Sequence, residues 1–530
     1  MPASISMDTK SYLVGGGIAS LATAAYLIRD GKVPGENITI FEESGNLGGS
    51  LDGQGSPEKG YIMRGGRMFT DEAYTCTYDL MALIPSQNNP GETIQDEMRI
   101  FNEEVHSHSG ARLVSDGKIL DTSSMGFSSR DRLDLVELLT IPEEALGAKQ
   151  IVDYFAPSFF KTNFWYMWCT TFAFQPWHSL VEFKRYCLRF LQEFHRINTL
   201  GGVKRTPLNQ YDSLVLPVTM WLRDRGVRFV MNSQVVDLDL VHGPEGKSVE
   251  RIHIVHDGEK SEIAVGPHDF VFVTNGSMTA ASSFGTMTGP APLQGADEAG
   301  SSWALWETLA NKDESFGHPS VFNGHPAEST WLSFTTTLHD PAFFNLMEQF
   351  SGNSAGTGGL VTFPPSKWLM SIVLAHQPHF LNQPEDVNVF WGYGLFPDQI
   401  GNHVWKKMSD CSGKEILTEL CHHLRFGEYL PLILGTSTCI PCRMPYITSQ
   451  FMPRVEGDRP LVRPAGTTNL AFIGQYCEMP DDVVFTVEYS VRSAQTAVFS
   501  LLKLDKQVSP LYKGQHDVDV LVSSARALLL

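Results

Sequence analysis

SYLVGGGIASLATAAYLIRDGKVPGENITIF, residues 11–41, decides the fold of this chain, and Glu42 follows it directly. An apolar run at residues 12–14 leads into three glycines, after which apolar residues recur at helical spacing. A second apolar run, at residues 38–41, predicts another strand. The order strand, tight turn, helix, strand, ending on an acidic residue, is typical of a βαβ unit that binds a dinucleotide.

Each residue type in this stretch has a physical role if a dinucleotide binds. Gly15 permits the tight turn, and Gly17 lets the backbone approach the pyrophosphate. Ser20 is small enough for the helix to pack closely on the strand, and Glu42 would bind a ribose hydroxyl. The unpaired N–H groups at the start of the helix would face the phosphates. We therefore expect a dinucleotide site rather than a glycine-rich turn without a ligand.

Length and charge narrow the class of protein. A chain of 530 residues predicts two or three domains, because single cores rarely grow beyond about 300 residues. The net charge of −19 argues against a nucleic-acid partner, which clustered Lys and Arg would bind. No run reaches the ~18 apolar residues of a membrane span, and the start lacks the apolar core of a signal peptide. We expect a cytoplasmic protein.

The eight cysteines are scattered along the chain, which fits a reducing compartment. Cys439 and Cys442 have the spacing of a redox motif without its strand and helix, and Cys421 precedes two histidines that lack a second ligand pair. We expect neither a metal site nor a reactive dithiol.

Three later segments extend the interpretation. NLGGSLDG (46–53) and YIMRGGRMF (61–69) are glycine-rich, and we favour contact with a cofactor over a pair of surface turns. Residues 154–190 are dense in aromatic rings, which usually fill a core. Polar residues such as Gln175, His178 and Tyr186 stand between these rings, so we favour a ligand pocket over plain core packing.

The α/β pattern returns at residues 209–236, 269–275 and 470–474. We predict an α/β protein with a discontinuous Rossmann-like cofactor domain, a mixed α+β substrate domain and a helical C-terminal tail. The predicted bounds are 1–85, 205–300 and 460–500 for the first domain, 86–204 and 301–459 for the second, and 501–530 for the tail. The tail alternates apolar residues, which predicts docking on the protein or peripheral contact with a membrane.

Long strings spread over nearly the whole chain resemble one family. They are VGGGIASLATAAYLIRDG, NLGGSLDG, YIMRGGRMF, FAFQPWHSLVEFKRY, NQYDSLVLP, MPYITSQFMPR, GDRP, FIGQYCEMPDDVVFTVEYSVRSAQTAV and YKGQHD. This pattern is similar to that of the oleate hydratases, also called myosin-cross-reactive antigens. The resemblance implies a flavoprotein that binds FAD and adds water to the cis-9 double bond of fatty acids such as oleate. The product would be a 10-hydroxy acid, formed without net electron transfer.

The resemblance also implies binding residues. For FAD they are Gly15, Gly17, Ser20, Glu42, Gly48, Gly49, Arg67, Val235, Gly474 and Val483, the last near the predicted start of the final helix. For the substrate carboxylate it implies Thr448 and Gln450, in addition to Gln175 and His178, which the ring-rich pocket itself offers as substrate-binding residues.

The reaction needs an acid, because an isolated alkene is a poor base, and a water held on the other side of the bond. By resemblance the proton donor is Tyr186, with Tyr211 in reserve, and Arg67 and the residue after it also belong to the catalytic site. A phenol has an ordinary pKa near 10, so Arg185, Lys184 or the flavin would stabilise the phenolate.

One position departs from the family pattern. Family members usually carry glutamate after the GGR of the second glycine motif, whereas here Met68 follows Arg67. Methionine cannot act as a base, so another group must place the water. Asp71 and Glu72 lie nearby in the sequence.

Other functions remain open on the same scaffold. They are a fatty-acid double-bond isomerase, a flavin oxidoreductase and a non-catalytic lipid-binding flavoprotein. Many family members have an N-terminal extension that helps to form a dimer, and this chain begins about ten residues before its first predicted strand. Both a monomer and a homodimer are therefore compatible with the sequence.

Overall fold

A computed structural model describes residues 8–66, 68–293 and 301–529 of the chain. The strands are β1 (Ser11–Val14), β2 (Ile38–Phe41), β3 (Gly53–Ser56), β4 (Gly60–Met63), β5 (Val114–Ser115), β6 (Lys118–Ile119), β7 (Arg228–Val230), β8 (Ser233–Gly243), β9 (Gly246–His256), β10 (Glu259–Ala264), β11 (Phe270–Thr274), β12 (Ser283–Phe284), β13 (Trp331–Leu338), β14 (Leu360–Thr362), β15 (Met370–Val373), β16 (Asn388–Gly394), β17 (Ser437–Met444) and β18 (Leu470–Ile473). The α-helices are α1 (Ile18–Arg29), α2 (Thr75–Leu83), α3 (Ile94–Glu104), α4 (Ser129–Thr140), α5 (Glu143–Leu146), α6 (Asn163–Phe172), α7 (Leu180–Arg189), α8 (Leu216–Arg223), α9 (Ser301–Ala310), α10 (Ser320–Asn323), α11 (Pro326–Ser329), α12 (Ala342–Ser351), α13 (Gly413–Leu424), α14 (Leu430–Gly435), α15 (Val487–Leu501) and α16 (Val518–Leu529).

A parallel sheet in the order β18-β11-β1-β2-β7 carries the glycine-rich turn. Its strands come from separated parts of the chain, and every neighbouring pair is parallel. All residues of β1, β2 and β18 are buried, as in parallel sheets that helices cover on both faces. Helices α1 and α15 pack against each other beside this sheet. The predicted α/β class is confirmed.

An antiparallel sheet in the order β12-β17-β13-β16-β15-β14 forms the other main layer. All eight residues of β13 are buried, because apolar side chains cover both faces of this central strand. Residues of the predicted substrate domain supply five of these strands, β13 to β17. The exact division into domains stays a prediction.

Buried ion pairs hold α7, the helix that carries Tyr186. Glu182 accepts hydrogen bonds from Arg454 (2.8 Å) and Arg459 (2.9 Å). Burial alone would raise the pKa of this carboxyl. The attraction of the nearby guanidinium groups is larger and lowers the pKa of Glu182 to about 2. The charged pairs therefore fix α7 against the segment at residues 454–459.

The helix that follows β18 begins later than predicted. Helix α15 starts at Val487, after Thr486, whose hydroxyl accepts a hydrogen bond from the Tyr489 N–H at 3.1 Å. Phe485 has a φ of 71°, in the left-handed region, so the helix cannot extend backwards through it. The prediction that this helix starts near Val483 is wrong.

The tail ends in α16, which packs on the 3-10 helix Leu191–Arg196. Ser524 Oγ donates a hydrogen bond to the Leu191 carbonyl at 3.1 Å, while Val518 and Leu529 remain exposed. Among the described residues, none of the helices combines the length and the apolar run that crossing a bilayer requires.

Candidate active site

Three cavities lie in a row and share wall residues. The glycine cavity, around Gly17, has a volume of about 520 Å³. The arginine cavity, around Arg205, has about 40 Å³, and the tyrosine cavity, around Tyr186, has about 90 Å³. Arg64 lines both the glycine and the arginine cavities, and Gly66 lines both the arginine and the tyrosine cavities. The three spaces therefore meet at the second glycine motif.

Most of the residues expected to hold FAD line the glycine cavity. They are Gly15, Gly17, Glu42, Gly48, Gly49, Val235 and Gly474. Ser20 lies behind the wall, where its Oγ is 3.3 Å from the Thr274 Oγ1 at the contact between α1 and β11. Val483 is buried away from this cavity, and Arg67 lies outside the described residues.

The backbone at the start of α1 is shaped for a phosphate group. Gly15 has a φ of 94°, which favours glycine, and a Cβ there would lie 3.3 Å from Thr274. A Cβ on Gly17, which precedes the first turn of α1, would meet nothing within 4 Å. Glu42 accepts a hydrogen bond from the Gly16 N–H at 2.6 Å and faces the same space. The open helix start and the nearby carboxylate fit the phosphates and a ribose of a dinucleotide such as FAD.

The arginine cavity contains buried polar groups without partners. The Nε and Nη2 atoms of Arg205, both amide atoms of Gln210 and Nδ1 of His379 have no hydrogen-bond partner in the part of the chain that the structure describes. Burial lowers the pKa of Arg205 to about 10, and burial next to Arg205 lowers the pKa of His379 to about 3. The cavity therefore holds a guanidinium cation beside a neutral imidazole, which is an environment for an anion.

Asn102 of α3 fixes the backbone of Arg205 in that position. The Arg205 N–H donates to Asn102 Oδ1 (2.9 Å), and Asn102 Nδ2 donates to the Arg205 carbonyl (2.7 Å). In the same cavity Arg64 pairs with Asp52 at 2.6 Å. Arg64 is thus neutralised, whereas Arg205 has no such carboxylate among the described residues that line the cavity.

The tyrosine cavity is apolar with a few polar groups. Tyr186 is 1% exposed, packs edge-on against Phe172 and donates its hydroxyl to the Val484 carbonyl at 2.6 Å. The other wall residues include Met68 and Glu193. This space can accept a hydrocarbon chain beside a phenol.

Arg185 and Lys184, which precede Tyr186 in the sequence, make their contacts away from the tyrosine cavity. Arg185 pairs with Glu143 (2.7 Å) and Glu478 (2.8 Å), and Lys184 Nζ donates to the Ile141 carbonyl. Neither residue, nor Tyr211, belongs to the wall of the tyrosine cavity. The idea that Arg185 or Lys184 stabilises the phenolate therefore has no support in these contacts.

The four residues expected to bind substrate lie outside the three cavity walls. Gln175 donates its amide to the Leu395 carbonyl (2.6 Å), and Thr448 Oγ1 donates to the Ser329 carbonyl (3.0 Å). Gln450 Nε2 donates to the Ile447 carbonyl (3.0 Å), and His178 Nδ1 accepts the Gln175 N–H (3.1 Å). Their polar groups mainly form hydrogen bonds with other groups of the protein.

Comparison with known proteins adds sequence evidence. The model of the MCRA family matches residues 8–499. The chain is 39% identical over 532 residues to an oleate hydratase of Streptococcus pyogenes serotype M49 (strain NZ131), covering 98% of this chain and 89% of that protein. It is 34% identical over 544 residues to a linoleate hydratase of Lactiplantibacillus plantarum, covering 94% of each.

One solved structure, of an oxidoreductase from Methanosarcina mazei, superposes with a TM-score of 0.50 at 12% identity. The match covers 93% of this chain and 100% of that one, and it concerns the fold alone.

Proposed function

Because this chain belongs to the MCRA family, we propose that it is a hydro-lyase that adds water to the cis double bond of an unsaturated fatty acid. Oleate would become 10-hydroxystearate, with no net oxidation or reduction. Two relatives over nearly the full chain are an oleate hydratase and a linoleate hydratase. The row of cavities supports the proposal, because it places a buried unpaired cation, an apolar space and a phenol side by side.

FAD fits the glycine cavity. Gly15, Gly17 and Gly48 would approach its pyrophosphate, and Glu42 would accept a ribose hydroxyl. When bound, FAD would supply electrostatic stabilisation rather than a lasting electron transfer. The resemblance carries this cofactor assignment, and the open space at Gly17 supports it.

The arginine cavity is the best match for the fatty-acid carboxylate. A carboxylate satisfies two parallel guanidinium N–H groups, and Arg205 has two nitrogens without partners. An anion would also neutralise a charge that is otherwise buried without a counter-ion. We place the carboxylate here rather than at Thr448 and Gln450, whose side chains already bond within the protein.

Tyr186 would supply the proton. Its ring packs against the rings of Phe172 and Phe190, which form part of the same cavity wall. Turning the O–H from the Val484 carbonyl towards the cavity would present the proton to one alkene carbon. The ring faces would stabilise the positive charge that develops on the other carbon.

Product analysis tests this function. Purified protein is incubated with FAD, a reductant and oleate or linoleate, and the extracted acids are identified by mass spectrometry. A hydroxy acid heavier than the substrate by one water is expected. An isomeric diene from linoleate would indicate an isomerase, and a product lacking two hydrogens would indicate an oxidoreductase.

Helix α16 could bring the protein to its substrate at a lipid surface. The exposed apolar residues of this helix are Val518, Leu521, Val522 and Leu529. Flotation of the full chain with lipid vesicles, compared with a Val518→Asp/Leu529→Asp variant, tests this peripheral contact. Loss of flotation in the variant is expected, and equal flotation would contradict it.

A further inference from the structure

The wall of the tyrosine cavity contains a carboxylate, that of Glu193. Among its described wall residues, Glu193 is the only acid, and the residue is 4% exposed. Glu193 lies in the 3-10 helix Leu191–Arg196, which follows α7, so the helix that positions Tyr186 leads directly to it. Asp71 and Glu72, which the sequence places near Met68, are not part of this wall.

Glu193 keeps the capacity to bind water. Arg196 donates to both of its oxygens, with Nε at 2.8 Å from Oε2. Each carboxylate oxygen accepts two hydrogen bonds, so one acceptor site per oxygen remains. Burial raises the pKa of Glu193, although Arg196 opposes this shift, and a raised pKa makes the carboxylate a stronger base.

A second group for the water lies in the same wall. Thr70 Oγ1 is buried and has no hydrogen-bond partner among the described residues. A buried hydroxyl without a partner is costly unless a water or ligand satisfies it. Met68, also in the wall, offers only a thioether, which is a weak acceptor.

We propose that Glu193 and Thr70 hold the water that adds to the double bond, and that Glu193 accepts its proton. This inference rests on the proposed function. Glu193 would be the base, a role that the thioether of Met68 cannot fill.

The step balances without an oxidant or reductant. The Tyr186 O–H bond breaks and its proton forms a C–H bond at one alkene carbon, leaving a cation at the other. A lone pair of the water forms the C–O bond, and the excess proton passes to Glu193. Transfer of that proton back to the Tyr186 phenolate, through water, restores both groups.

The test compares Glu193→Gln with a matched control, Glu72→Gln. Both variants remove a negative charge next to Arg196, because Glu72 lies 3.4 Å from the same guanidinium, but only Glu193 lines the cavity. Glu193→Gln should lower kcat about 100-fold or more, as for loss of a general base. Glu72→Gln should stay near the wild-type rate.

The pH profile separates a base from a structural residue. The charged and titratable groups around Glu193 are Arg196, Glu72 and Asp71, with Tyr74 and Tyr186 in the cavity wall. Wild-type kcat/KM should fall on the acid side as Glu193 takes up a proton, above the usual range for glutamate. Glu193→Gln should lack this acid limb, and Glu193→Asp should restore part of the rate.

A third variant places a carboxylate elsewhere in the same wall. Met68→Glu added to Glu193→Gln should recover activity while the melting temperature and FAD binding stay unchanged. If Glu193→Gln is folded, binds FAD and keeps the wild-type rate and acid limb, the inference is wrong while the hydratase function stands. If the wild-type protein forms no hydroxy acid, the proposed function itself fails.

Discussion

At the scale of single residues, Tyr186 has the clearest expected role. Tyr186→Phe removes the O–H and keeps the ring that packs against Phe172. Hydration should fall by about 10² to 10⁴-fold, the usual contribution of a positioned acid.

Steady-state rates with oleate check this expectation, with FAD affinity as the control. Tyr211→Phe offers a matched comparison, because Tyr211 lies outside the cavity wall. A Tyr186→Phe variant as active as the wild type would contradict the assignment.

Arg205 should lower the stability of the fold while it strengthens binding of the fatty-acid carboxylate. A buried guanidinium without a partner costs free energy, so Arg205→Met should raise the free energy of unfolding by about 1 to 3 kcal/mol. The same change should raise KM for oleate, because the carboxylate loses its counter-ion.

Urea unfolding and kinetics on oleate and methyl oleate check both effects. The wild type should prefer the free acid over the ester, and Arg205→Met should lose that preference. A destabilised variant that still prefers the free acid would show that Arg205 is structural.

Some site residues could be predicted from the sequence, and others could not. Gly15 was predictable because its positive φ favours glycine, and Gly17 because a side chain there would project into the space expected for the pyrophosphate. Arg205 and His379 lie 174 positions apart, from 379 minus 205, and only the tertiary fold joins them. The local sequence indication of this cavity was the pair of basic residues, Lys204 and Arg205, shortly before NQYDS (209–213).

At the scale of elements, the start of α1 should decide cofactor affinity. Gly17→Asp places a good N-cap residue at the helix start, so the apo protein should keep its melting temperature. The new carboxylate would project into the open space and repel the pyrophosphate.

Titration with FAD should show a loss of affinity of about tenfold or more for Gly17→Asp, equivalent to about 1.4 kcal/mol. Gly17→Asn has nearly the same size without the charge and should weaken binding less. Equal FAD affinity in both variants and the wild type would place the cofactor elsewhere.

Strands and helices differed in how well the sequence predicted them. The strands of the parallel sheet were visible as short apolar runs next to glycine. Strand β13 lacks an alternating pattern because both of its faces are buried, so the antiparallel sheet could not be read from periodicity. The start of α15 was misplaced because the left-handed Phe485 depends on its surroundings, not on its residue type.

At the scale of the whole molecule, buried histidines should make the fold sensitive to acid. Burial lowers the pKa of His178 to about 3, whereas the unfolded value is about 6.5. Between pH 6.5 and 3, His178 therefore binds a proton in the unfolded chain but not in the folded chain. The free energy of unfolding should fall by about 1.4 kcal/mol per pH unit for this residue as pH drops from 6.5 towards 3.

Urea unfolding at pH 7.0, 6.0 and 5.0 measures this slope. His178→Asn should reduce it, leaving the part due to His379 and the other histidines whose pKa is lowered, while His268→Asn at an exposed position should leave it unchanged. An unaltered slope in His178→Asn would mean that this ring is protonated in the folded state.

The central claim is that this molecule uses a flavin fold to add water without net redox. The most direct measurement is a single turnover with oleate in heavy-oxygen deuterated water, with the flavin spectrum followed throughout. The account predicts a hydroxy acid with one heavy oxygen and one carbon-bound deuterium, and a flavin in the same redox state before and after. Unlabelled oxygen in the product, or flavin that is oxidised or reduced in step with it, would contradict the account.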